Sequence, residues 1–88
     1  MIARRYRVTG RVQGVGFRYF VVRQAAMVGV SGWVRNDPDG AVSALAAGEE
    51  DALARFRARL ATGPPASRVD HVEESPAAPP AEAGFHVA

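Results

Sequence analysis

The segment that most restricts how this chain can fold is Arg5 to Val28, where an alternating stretch passes through Gln13-Gly14-Val15-Gly16 into a stretch of helical spacing. Between Arg5 and Val12, the residues Tyr6, Val8, Gly10 and Val12 fall on one side and Arg5, Arg7, Thr9 and Arg11 on the other. Successive strand side chains point to opposite faces, so this pattern predicts a half-buried strand with its basic face in water. Two glycines in three positions then interrupt any regular element and permit the positive φ angles of a tight loop. Phe17, Phe20, Val21, Ala25 and Val28 recur at the spacing of one helical face, and Gly29 suits the helix stop. The first unit reads as strand, glycine loop, helix.

Val30 to Asn36 is a short run carrying Val, Trp and Val, and Asp37-Pro38-Asp39-Gly40 after it places proline and glycine where a turn needs them. Ala41 to Ala46 follows as a second short run, so the pair predicts a β-hairpin. Gly48 with Glu49, Glu50 and Asp51 opens a second helix, because an acidic first turn complements the helix dipole. Leu53, Phe56 and Leu60 form its apolar stripe, and Gly63-Pro64-Pro65 ends it. Arg68 to Glu73 predicts a fourth strand through Val69 and Val72. The proline-rich stretch Ser75 to Gly84 reads as loop, and Phe85-His86-Val87 as a short extra edge strand. The order β, α, β, β, α, β predicts an α+β, ferredoxin-like sandwich: an antiparallel sheet with both helices on one face, spanning residues 1–88 as one domain.

Composition narrows the function. With 88 residues, 48% of them hydrophobic, the chain has enough for one core and no obvious second unit. It has no cysteine, which excludes a disulfide framework, a thiolate zinc site and a cysteine nucleophile, and suits a reducing compartment. No apolar run approaches signal-peptide or membrane-span length, so the expectation is a cytoplasmic protein without a membrane partner. All of the 11 basic residues are arginine and alanine is abundant, a bias of composition rather than a basic patch, so the net charge of +2 gives little support to a nucleic-acid partner.

The chemistry-bearing segment is Gly10 to Arg18, a strand end, a glycine loop and a helix start with arginine at the junction. Such a loop can aim several backbone N–H groups into one concavity, where the helix N-terminus adds partial positive charge. The Arg18 guanidinium offers a fork of donors that matches two phosphate oxygens and stays charged at working pH. This local pattern alone leaves a plain turn with a solvated arginine equally open. Asn36, just before Asp37-Pro38-Asp39-Gly40, is by its neighbours alone a turn residue.

Taken together, Val8-Thr-Gly-Arg-Val-Gln-Gly-Val-Gly-Phe-Arg18 and Gly32-Trp-Val-Arg-Asn36 with Asp39-Gly40-Ala-Val42 resemble the two signatures of the acylphosphatase family. Gly48, Gly63-Pro64 and Val69 extend the similarity over most of the chain. The resemblance implies a hydrolase of carboxyl-phosphate mixed anhydrides that needs no metal or other cofactor; nothing in the sequence suggests an obligate partner, so a monomer is expected. It takes an acyl phosphate as substrate and inorganic phosphate or similar anions as product or inhibitor. Carried over by position, Arg18 and the backbone of Gln13, Gly14, Val15, Gly16 and Phe17 bind phosphate, and Asn36 orients the attacking water. A neutral amide is no strong base, so the substrate's own phosphate oxygen is expected to take the water's proton. The chain departs from the family at its end, His86-Val87-Ala88, where members often carry arginine or a large aromatic residue.

Other polar residues attract no chemistry. His71 and His86 lie outside both motifs, Glu49-Glu50-Asp51 reads as a helix first turn, Ser43 and Ser67 lack a base, and Trp33 and Phe56 read as packing residues. Two further functions remain as alternatives. One is a phosphate- or carbamoyl-phosphate-binding module of the kind fused to hydrogenase-maturation proteins. The other is an RNA-binding domain suggested by the aromatics Phe17, Tyr19 and Phe20, but these start the first helix, whereas stacking on bases needs them on the open face of a central strand.

Overall fold

The computed structural model describes residues 1–88. Its elements are β1 (Ile2–Arg11), α1 (Phe17–Val28), β2 (Ser31–Asn36), β3 (Val42–Gly48), α2 (Glu50–Thr62), β4 (Arg68–Pro76) and β5 (Phe85–Val87). The five strands form one sheet in the order β4-β1-β3-β2-β5. The first four pair antiparallel, as the ferredoxin-like reading requires, while β5 lies parallel to β2 and makes the sheet mixed.

The alternation in β1 sends Tyr6 and Val8 into the core, and Val12 follows them just beyond the strand. They meet Phe17, Val21 and Ala25 of α1 and Leu53, Phe56 and Leu60 of α2, which places both helices on the same sheet face. Phe56 is fully buried and sits edge-on to Tyr6 at 5.4 Å between ring centroids, with Phe85 of β5 at 5.8 Å on its other side. Burial of rings of this size dominates the stability of so small a core. The helices are tied to each other where Arg59 Nη1 donates to Gln24 Oε1 at 2.6 Å.

The larger departures from the sequence boundaries are set by pairing rather than by local pattern. β1 begins at Ile2 because Ile2 to Arg4 pair with Gly48 to Ala46 of β3. That same ladder holds Gly48 as the last residue of β3, so α2 starts later, at Glu50. β4 continues past Glu73 to Pro76 because Arg4 and Arg5 still offer partners; Pro76 is tolerated there because β4 is an edge strand.

The sheet face away from the helices is not simply solvated. Trp33 lies on it beneath two guanidinium groups, Arg35 at 4.8 Å and Arg5 at 5.5 Å from the ring centroid. The basic side of β1 is therefore spent on the protein's own aromatic and acidic groups. This cover explains why every residue of β3 is buried, although only one of its faces meets the helices.

Candidate active site

Gly14 and Gly16 both adopt left-handed backbone, with φ of 74° and 78°. A side chain at either position would be strained there, and the space above each is open. Gly16 is the N-cap of α1 and has no side chain to cap it. The backbone N–H groups from Gly14 to Tyr19 find no acceptor within the protein, the first bond being Phe20 N–H to the Gly16 carbonyl at 3.1 Å. Four free N–H groups are normal at a helix start, but here the preceding loop leaves those of Gly14 and Val15 free as well.

A hollow beside them has a volume of about 140 Å³ and is lined by Val12, Gly14, Gly16, Phe17, Arg18, Tyr19 and Asn36. The structure thus brings together the two residues that sequence had separated, Arg18 at the start of α1 and Asn36 at the end of β2. Arg18 takes part in no ion pair, unlike Arg4, Arg7, Arg35, Arg57 and Arg68. A free guanidinium, lining residues with free backbone N–H groups and a helix N-terminus make the hollow electropositive, and no carboxylate lines it.

Gln13 and Val15, two of the expected phosphate-binding positions, do not line the hollow. Gln13 turns its side chain the other way: Nε2 donates to the carbonyl oxygens of Asp37 at 2.8 Å and Ala41 at 2.9 Å. It fastens the glycine loop to the β2–β3 turn, one residue beyond Asn36. The turn is itself braced from the open face. Asp37 accepts from Arg7 at 3.2 Å, from Arg35 at 3.3 Å and from the Ser43 hydroxyl, and its N–H donates to the Ala41 carbonyl at 2.8 Å. Asp39 accepts from the other Arg7 nitrogen and from the Ala41 N–H, and the Arg7 hydrogen bond holds its carboxyl below the usual carboxylate range.

Sequence reasoning did not find this bracing. Arg7, Asp37 and Ser43 come from three strands or turns, and only the strand register, with Arg7 opposite Ser43, joins them. Ser43 is 3% exposed, and its hydroxyl is engaged with Asp37 as part of this brace. His71 and His86 sit at exposed strand positions opposite Thr9 and Trp33. Phe17 is in the core and Phe20 packs against it, so these aromatics form no stacking platform on the sheet.

The chain is thus an α+β domain of the ferredoxin-like class in which a glycine loop, an uncapped helix start, an arginine and an amide line one hollow. The chain belongs to the acylphosphatase family, whose model matches residues 4–87. It is 54% identical over 81 residues to an acylphosphatase of Nitrobacter hamburgensis, covering 92% of this chain and 82% of that one. The fold is similar to the crystal structure of acylphosphatase from Bacillus subtilis, with a TM-score of 0.96 at 39% identity over 100% of this chain and 99% of that one. It is also similar to one part of full-length HypF solved with phosphate and nucleotide, with a TM-score of 0.86 at 27% identity, over 99% of this chain and 12% of that one.

Proposed function

We propose that this protein is an acylphosphatase that hydrolyses the carboxyl-phosphate anhydride of acyl phosphates, with the hollow at the start of α1 as its active site. The observation that carries the assignment of the site is that an unpaired Arg18, free loop N–H groups and Asn36 all line one space.

The chemistry asks little of the protein, because a carboxylate is already a good leaving group. The phosphoryl oxygens lie against the N–H groups of Gly14 to Tyr19, and the Arg18 fork takes two of them. The Asn36 amide holds a water on the side of phosphorus away from the acyl oxygen. The water oxygen forms the new bond to phosphorus as the bond to the acyl oxygen breaks, and that electron pair leaves with the carboxylate. The water's proton passes to a phosphoryl oxygen, giving a carboxylate and inorganic phosphate. Positioning and charge stabilisation supply the acceleration; no protein base is used. Release of phosphate from benzoyl phosphate by the wild type tests the assignment: turnover supports it, and its absence in folded protein refutes it.

The likeness to part of HypF favours a second reading, a module that holds a phosphorylated compound without hydrolysing it. Asn36 speaks for the first, since a pure binder has no use for an amide that positions water. Binding of phosphate without turnover would reverse the choice.

A further inference from the structure

We propose that Tyr19 forms the subsite for the acyl group and biases the enzyme toward acyl phosphates whose acyl part is a flat ring; this inference rests on the hydrolase reading above. The hollow measures about 140 Å³. That is well below the roughly 300–1,000 Å³ of a pocket that encloses a whole small-molecule ligand, so it suits a phosphoryl unit with its attacking water and little more. The acyl part must therefore leave the hollow and lie along its rim.

The rim has one large side chain free to meet it. Val12 and Phe17 are buried in the core and contribute only their edges, and Gly14 and Gly16 contribute backbone. Tyr19 lines the same hollow yet is 70% exposed, on the first turn of α1 beside Arg18. Its ring stacks on no other aromatic of the protein and its hydroxyl makes no hydrogen bond within it. Its neighbours in the helix behave differently, since Phe17 belongs to the core and Phe20 packs against it. An aromatic face left open beside a phosphate site offers offset stacking to a planar acyl group, and gives little to a short aliphatic one.

The experiment compares kcat/KM for benzoyl phosphate and acetyl phosphate in the wild type and in Tyr19→Phe, Tyr19→Leu and Tyr19→Ala. The ratio of benzoyl to acetyl kcat/KM should fall about 5-fold in Tyr19→Ala, chiefly through the KM for benzoyl phosphate, a loss in keeping with one aromatic contact. Tyr19→Phe should keep the ratio, and Tyr19→Leu, which has apolar surface but no ring, should lose most of it. A ratio that stays constant across all four proteins, or that falls equally in Tyr19→Phe, overturns the inference while leaving the hydrolase intact. A wild type that hydrolyses neither compound overturns the hydrolase reading itself.

Discussion

Replacing Gln13 with alanine removes the side chain that joins the phosphate loop to the turn carrying Asn36. Two hydrogen bonds are lost, those to the carbonyls of Asp37 and Ala41 at 2.8 and 2.9 Å. At about 1 kcal/mol net for each, the loss of stability is about 2 kcal/mol. For a domain of this size that lowers the melting temperature by roughly 8–16 °C. The kinetic consequence is separable from the thermal one. Arg18 and the free N–H groups proposed to hold phosphate stay in place, whereas the strand end bearing Asn36 gains freedom. We expect kcat to fall about 10-fold, with the inhibition constant for inorganic phosphate changed by less than about 2-fold, because misplacing the attacking water costs rate rather than binding. Calorimetry and initial rates on acyl phosphate, below the melting temperature of the variant, give both numbers. If phosphate inhibition weakens more than kcat falls, Gln13 contacts the phosphate directly and the clamp reasoning is wrong. Unchanged stability and unchanged kcat would refute it altogether.

Two other outcomes follow from the same structure. Burial, and secondly the Glu74 carboxylate, push the Tyr6 hydroxyl up to about 12 from its ordinary 10. The unfolded chain therefore gives up this proton first as pH rises, so stability should decline between about pH 10 and 12 by on the order of 2 kcal/mol, and Tyr6→Phe should flatten that decline in denaturant titrations. The proposed mechanism uses no protein base, so log kcat should be nearly flat from about pH 6 to 8 once ionisation of the substrate is allowed for. A bell with two enzyme-derived limbs in a stopped-flow profile would instead require a titrating residue.

The legible parts of this fold were those in which neighbours along the chain share one environment. Tyr6, Val8 and Val12 alternate because one sheet face is covered, and Leu53, Phe56 and Leu60 follow helical spacing because α2 lies on that face. Gly14 and Gly16 announced a left-handed loop that only glycine adopts without strain. The parallel pairing of β5 was not legible, since Gly32 to Val34 meet Phe85 to Val87, partners 53 positions apart in the chain. The same holds for the brace under Asn36. Arg7, Asp37 and Ser43 look like a solvated strand residue, a turn residue and an idle serine until the register of β1 and β3 sets them side by side. Gln13 was placed on the correct loop, but which way an amide turns depends on carbonyls 24 and 28 residues away. Tyr19 falls outside the apolar helical face of Phe17, Phe20, Val21, Ala25 and Val28, but only the structure sets its exposed ring against the same hollow as Arg18 and Asn36.

The account stands on Arg18 and Asn36 acting on one substrate in one hollow. The most direct measurement is phosphate release from benzoyl phosphate, with a metal chelator present, by the wild type, Arg18→Gln and Asn36→Ala, each verified as folded by circular dichroism. The wild type should turn over in chelator, and both variants should lose at least about 100-fold in kcat, the scale of removing a group that stabilises or positions the transition state. Only Arg18→Gln should also lose its inhibition by inorganic phosphate. A folded Asn36→Ala or Arg18→Gln variant with near wild-type kcat would contradict the assigned site, and activity abolished by the chelator would contradict the mechanism.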